Sequence, residues 1–238
     1  MAGRRKLDTG GVLSRTFELT LAAPAPLVAI AIVVFLLVAL VESVLQDNIF
    51  LSLFGYAIGQ AGTFVYAGLV APAVVEADRG GHLSVADTVD RARPALGMLL
   101  AVGLVSSLVV LLGLVLLILP GVLLIACFAL APPLIVLTGA RFDALGRSVR
   151  MQGRGFLTVL VVTIVLLIVQ FLAGLLLTLA LSAVLGDLLG YWLGALIAHA
   201  VVAPLWAVAW TVLYLQLTGA SDGAPARMPE RPVGGGMR

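Results

Sequence analysis

Long apolar runs separated by short polar segments make up most of this chain. A helix that crosses a bilayer needs about 20 mainly apolar residues. The second run is the least apolar, because it contains Tyr56, Gln60 and Thr63. The pattern predicts an all-α membrane protein with six transmembrane helices. The predicted spans are residues 27–45, 49–75, 96–119, 120–137, 156–185 and 190–217.

The third and fourth runs are contiguous, and together they are too long for one helix in a bilayer core of about 30 Å. They meet at Leu119-Pro120-Gly121. Proline is tolerated at the first position of a helix, and glycine permits a tight turn. We therefore expect a short turn at this tripeptide. Pro132, Pro133 and Pro204 lie inside the fourth and sixth spans and are expected to kink them.

All 14 arginine and lysine residues lie at the two chain ends or in the loops after the second and fourth spans. Short loops that carry these residues face the cytoplasm. The other loops carry only the acids Asp47 and Asp187, with Glu42 nearby. We predict a plasma-membrane protein with both ends in the cytoplasm. Residues 1–217 form the predicted membrane domain, and residues 218–238 form a predicted disordered cytoplasmic tail.

The composition agrees with a bilayer environment, since 62% of the residues are apolar and only 11% are charged. A soluble domain is about half apolar and a quarter charged. The formal charge of +2 does not indicate nucleic-acid binding, because the basic residues alternate with apolar runs. The single cysteine, Cys127, excludes an intramolecular disulfide.

The polar segments before the first, third and fifth spans share a helical pattern. In each, apolar residues recur on one side, opposite charged residues. This predicts three hairpins of spans, each preceded by a cytoplasmic amphipathic helix at the membrane interface. The alternative is that any basic loop beside a span shows such a pattern. The apolar positions are Val12, Leu13, Phe17 and Leu21; Val85, Val89, Ala92 and Leu96; and Phe142, Leu145 and Val149.

Arginines on the three amphipathic segments are the candidate contacts for anionic lipid head groups. These are Arg15, Arg91, Arg93, Arg147, Arg150 and Arg154.

Few polar side chains lie within the predicted spans. Gln170 and His199 are candidates for an intramembrane polar site, although such residues more often bond across a helix interface. Gly55 and Gly59, and likewise Gly194 and Ala198, have the spacing that lets helices approach closely. We expect packing within the chain at these positions, with contact to a second copy as the alternative.

Motifs of soluble and membrane enzymes are missing from the sequence. There is no Gly-x-Ser-x-Gly, no His-Glu-x-x-His, no phosphate-binding loop and no cluster with metal-ligand spacing. No nucleophile–base pair or carboxylate pair can be assembled. We therefore expect no cofactor, no metal and no enzymatic activity.

Five segments carry a family resemblance: LPG at 119–121, APPLIVL at 131–137, ALGRS at 144–148, GF at 155–156 and DTGGVLSRTF at 8–17. They resemble the membrane domain of some bacterial glycerophosphoryl diester phosphodiesterases, which also occurs alone, and YciC-like inner-membrane proteins. The resemblance extends over nearly the whole chain except the tail and implies a membrane scaffold.

This chain also departs from the family pattern. Thr138 stands where an acidic residue is frequent, and Val149 where an aromatic residue is usual. The phosphodiesterase barrel, with its catalytic residues and metal site, has no matching positions in this sequence. The resemblance therefore implies no catalytic residue here.

Three classes of function fit these observations. The favoured one is a non-enzymatic scaffold or accessory protein that engages membrane lipids, another membrane protein or a second copy through its basic helices. The alternative is a transporter or channel for a small or amphipathic molecule, motivated by the prolines, Gln170 and His199. A membrane-embedded enzyme would need Glu42, Gln170 and His199 to converge on one cleft.

Overall fold

The computed structural model describes residues 8–45 and 48–219, and this part of the chain is helical without any strand. The predictions for the basic residues 4–6 and for the tail from residue 220 onward lie outside it, as does Asp47. Single 3-10 turns lie at Arg93–Ala95 and Gly153–Gly155, and they join the fourth helix to the fifth and the eighth helix to the ninth. The helices are α1 (Thr9–Ala22), α2 (Pro24–Val44), α3 (Ile49–Asp78), α4 (Val85–Ala92), α5 (Leu96–Leu116), α6 (Ile118–Phe128), α7 (Ala131–Thr138), α8 (Asp143–Gln152), α9 (Phe156–Leu185) and α10 (Asp187–Thr218).

Among the described residues, six helical stretches are long and apolar enough to cross a membrane, as the hydrophobic pattern predicted. They identify a multi-pass membrane protein. Each overlaps one predicted span. The stretches are Pro24–Glu42, Leu53–Asp78, Val85–Leu116, Ile118–Thr138, Phe156–Leu185 and Trp192–Thr218.

Helices α3 and α10 occupy the interior of the bundle, whereas α2 and α9 expose most of their surface. Helix α3 contacts α2, α5, α7 and α10, and α10 also contacts α1 and α9. Most side chains of α3 therefore meet protein. A helix in this position needs less apolar surface than one surrounded by lipid, which explains the weaker hydropathy of the second span.

The turn between α5 and α6 lies at Leu117, so its prediction at Leu119-Pro120-Gly121 is wrong by three residues. Leu117 has extended backbone angles, φ −160° and ψ 138°. Pro120 and Gly121 instead occupy the first turn of α6. The missing N–H of proline has no consequence there, because the first N–H groups of a helix lack intrahelical acceptors. Gly121 lets α6 lie directly against Gly113 of α5.

Proline affects the spans in two different ways. The fourth span is divided at residues 129 and 130, and Pro132 and Pro133 stand in the first turn of α7. Helix α10, by contrast, continues through Pro204, as α3 does through Pro72. The predicted disruption at Pro132-Pro133 is thus a break between two helices.

Small residues form the predicted packing seams within the chain. Glu42 of α2 lies so close to Gly59 that a Cβ there would be 2.6 Å from the carboxylate oxygen Oε1. A Cβ on Gly194 of α10 would be 2.6 Å from the Cα of Thr178 on α9. Gly190 meets the backbone of Ser182 in the same way. Both glycine patterns therefore serve contacts between helices of this chain.

Candidate functional site

Helix α8 docks through a face made of Ala144, Ser148 and Gln152, all of which are buried. These residues are four apart, so they form one stripe along the helix. Their polar groups bind the backbone at the break between α6 and α7.

The hydroxyl of Ser148 donates to the carbonyl oxygen of Cys127 at 2.6 Å and accepts from the N–H of Leu130 at 3.2 Å. The amide nitrogen Nε2 of Gln152 donates to the carbonyl oxygens of Ala126 at 2.8 Å and Cys127 at 3.0 Å. In an unbroken helix, these groups would be paired along the helix itself. The side chains of α8 replace that pairing.

The rest of the α8 surface is exposed and divides into two flanks. One flank is apolar, since Phe142 is 54% exposed and Val149 is 45% exposed. Because successive helical residues are rotated by about 100°, Asp143, Arg147 and Arg150 lie together on the other flank. Helix α8 is not part of any candidate span. It therefore exposes large apolar side chains beside arginines outside the membrane-spanning stretches.

Helix α1 also has a docked face, an exposed apolar face and a charged face, and they follow one another around its axis in the same order as in α8. Its Phe17 is 56% exposed and its Leu21 is 79% exposed, although α1 is also outside the candidate spans. The charged side carries Arg15 and Glu18. The docked face is Val12, Thr16 and Leu19.

Helix α4 is shorter but similar, with Thr88 and Ala92 buried and Val85 exposed. Ser84 caps the start of this helix. The N–H of Asp87 donates to the hydroxyl of Ser84 at 3.1 Å, and that hydroxyl donates to the Asp87 carboxylate at 2.6 Å.

The sequence pattern separated apolar from charged positions but missed the face that contacts the protein. In α8, the docked stripe consists of alanine, serine and glutamine, whereas Phe142 and Val149 point away from the core. The signal was available as small or hydroxyl-bearing residues at intervals of four. Alanine, serine and glutamine have low or intermediate hydropathy. A search for apolar residues at a period of 3.6 therefore does not detect this docked stripe.

Two of the candidate head-group arginines are paired with acids at the end of α3. Arg15 donates to the Asp78 carboxylate from Nε at 3.1 Å and from Nη2 at 2.9 Å. These bonds, together with one to Glu18, raise the pKa of the Arg15 guanidinium. Arg91 lies 3.4 Å from Glu76. Because both arginines tie short helices to α3, they are weaker candidates for lipid contacts.

The arginines of α8 and of the 3-10 turn that follows α4 are less constrained by salt bridges than Arg15 and Arg91. Arg150 and Arg93 are exposed, and Arg147 makes only a 3.5 Å pair with the exposed Asp143 of its own helix. Arg147, Arg150 and Met151 line a shallow groove with Asp143. The side chain of Arg154 lies outside the described part. Among the candidate arginines whose side chains are described, Arg93, Arg147 and Arg150 therefore make no salt bridge to another helix, and two of these three lie on α8.

The two predicted intramembrane polar residues have different surroundings. The ring of His199 lies against Phe35 of α2, with ring centroids 5.3 Å apart. Gln170 is half-buried on α9. Glu42, the third group considered for an enzymatic cleft, lies against Gly59 of α3. Within the described residues, no group of three or more His, Cys, Asp or Glu is arranged to hold a metal ion.

Comparison with known proteins adds no family to this description, because no family model, no curated protein and no solved structure matches the chain.

Proposed function

We propose that this protein is a non-enzymatic scaffold or accessory protein of the plasma membrane that engages anionic lipid head groups, chiefly through α8. In this proposal both chain ends are cytoplasmic, and α1, α4 and α8 lie at the inner interface, each ahead of a hairpin of spans. The observation that carries the proposal is the arrangement of three faces on α8: one docked, one apolar and exposed, one basic and exposed.

The apolar flank supports an interfacial position. A helix in water would hydrate Phe142 and Val149, at a cost of about 25 cal/mol for each Å² of apolar surface left uncovered. A bilayer interface covers such side chains with acyl chains. Helix α1 has the same requirement for Phe17 and Leu21.

The basic flank supports lipid recognition. With the apolar flank in the acyl region, Arg147 and Arg150 would lie at the level of the phosphate groups. Each arginine near an anionic surface contributes about 1 kcal/mol of attraction. The exposed pair between Arg147 and Asp143 competes little, because such pairs contribute about 0–1 kcal/mol.

The test compares lipid retention by the wild-type protein and by R147Q/R150Q. We expect the double variant to retain phosphatidylglycerol about thirtyfold more weakly, since two charges contribute about 2 kcal/mol, while retention of phosphatidylcholine is unchanged. The reason is that only the anionic lipid gains from the arginine charges. Native mass spectrometry of protein exchanged into each lipid measures both quantities.

The matched control is R227Q/R231Q, which removes the same charge from the segment 220–238. It should leave phosphatidylglycerol retention unchanged if the effect belongs to α8. Equal retention by R147Q/R150Q and wild type would reject lipid binding through α8.

A further inference from the structure

A narrow, mainly apolar cleft with a few polar side chains in its walls lies among four of the candidate spans, and no part of it belongs to α8. Gln60 and Phe64 of α3, Ser106 and Ser107 of α5, Ile125 of α6 and Trp210 of α10 line it. The enclosed space is about 30 Å³, enough for one small polar group. Gln60 is also one of the residues that make the second span less apolar.

Within the part of the chain that the structure describes, the indole N–H of Trp210 has no hydrogen-bond partner, although only 5% of this residue is exposed. Indole nitrogen can donate but cannot accept. Leaving a buried donor unpaired costs about 1–3 kcal/mol. A group that lies in the cleft and accepts this hydrogen bond would remove the cost.

The serine hydroxyls of the cleft offer acceptor groups to a ligand. Ser106 and Ser107 both donate to the carbonyl oxygen of Gly103, at 2.9 Å and 2.7 Å. With their protons engaged, both oxygens can still accept a hydrogen bond. Gln60 donates from Nε2 to the hydroxyl of Tyr56 at 2.9 Å, so its carbonyl oxygen is a further acceptor.

We propose that this cleft binds the hydroxyl head of a neutral, single-chain amphiphile. A hydroxyl group can accept from Trp210 and at the same time donate to a serine or to Gln60. A carbonyl or ether oxygen can only accept, so it satisfies one wall and leaves the other unpaired. The geometry thus favours an alcohol over an ester, an ether or a carboxylate.

The lining also determines the charge and the tail of the ligand. Among the described residues, the cleft is lined by no ionisable side chain, and a charged head would lose its hydration there without compensation. Phe64 and Ile125 provide apolar surface beside the polar groups. Because every wall belongs to a candidate span, the acyl chain of the ligand remains in the bilayer while its head enters the cleft.

The test uses hexadecanol that carries a photoreactive diazirine in its chain, together with its methyl ether and the corresponding fatty acid. Wild-type protein in nanodiscs should be labelled saturably by the alcohol, with the labelled peptides coming from α5 and α6. We expect the ether, and the fatty acid at a pH at which it is ionised, to bind at least about tenfold more weakly, since neither can donate a hydrogen bond to a serine or to Gln60.

Variants then identify the groups responsible. Trp210→Phe removes the indole donor, and we expect about tenfold weaker binding of the alcohol. Trp206→Phe is the control, because Trp206 stacks edge-on against Trp210 at 5.4 Å but does not line the cleft. Ser107→Ala removes an acceptor and should weaken alcohol binding but not ether binding. If Trp210→Phe does not fold, this variant tests whether the cleft binds a hydroxyl group.

Three outcomes would overturn the proposal. The first is equal binding of the alcohol and the ether by the wild-type protein. The second is unchanged alcohol binding in a folded Trp210→Phe variant. The third is the absence of saturable labelling, which would mean that the cleft holds water alone. None of these outcomes involves α8, so they do not bear on the function proposed for its arginines.

Discussion

Replacing Ser148 and Gln152 of α8 together, as S148A/Q152M, is expected to lower the free energy of unfolding by about 3 kcal/mol. Gln152 is only 1% exposed, and its amide binds the carbonyl oxygens of Ala126 and Cys127. Ser148 binds the N–H of Leu130. The double variant leaves these backbone groups without their side-chain partners inside the protein, and each such loss costs about 1–3 kcal/mol.

Reversible unfolding in mixed micelles measures this loss of stability. Gln170→Met is the matched control, because Gln170 is half-buried and makes no hydrogen bond within the described part of the chain. Its effect should stay below about 0.5 kcal/mol. If S148A/Q152M were as stable as this control, the hydrogen bonds between α8 and the broken span would be irrelevant to folding.

The second large effect is expected at the crossing of α9 and α10. In Gly194→Ala, the added Cβ would be 2.6 Å from the Cα and 2.8 Å from the backbone nitrogen of Thr178. Backbone atoms cannot rotate away, so the two helices must separate along their contact. We expect a loss of about 2 kcal/mol, despite the gain of about 1 kcal/mol that alanine brings to a helix.

Gly174→Ala on α9 is the control for this substitution, since a Cβ there meets nothing within 4 Å. It should be neutral or stabilise the protein by up to about 1 kcal/mol. Thermal unfolding monitored by circular dichroism compares the two variants. A Gly194→Ala protein that unfolds at the same temperature as Gly174→Ala would contradict the close packing of this hairpin.

The elements of the bundle were largely predictable because they depend on local composition. Within the described residues, six apolar runs became six helical stretches long enough to span a membrane, one of them divided at residues 129 and 130, and the glycine pair at 55 and 59 predicted a close contact. The turn at Leu117 was misplaced because Pro120 and Gly121 are equally acceptable inside the first turn of a helix. Sequence alone does not distinguish the two placements.

The site was less predictable, because its contacts join residues far apart in the sequence. Arg15 resembled a free lipid contact until Asp78, 63 residues further on, supplied its partner. Likewise, Ser148 and Gln152 have ordinary positions in a helical pattern, and their role depends on the break at residues 129 and 130. Such pairings follow from the tertiary fold and leave no periodic signal.

The orientation of α8 at the bilayer is the central claim, and nitroxide labels test it most directly. Cys127 is the single cysteine, so Cys127→Ala provides a background for labelling Phe142, Val149 or Arg150 through F142C, V149C and R150C. We predict that labels at 142 and 149 collide more with oxygen, which partitions into lipid, than with a water-soluble nickel chelate. The label at 150 should show the reverse. If all three labels were equally accessible to the chelate, the apolar flank of α8 would face water, and the lipid-binding proposal would fail.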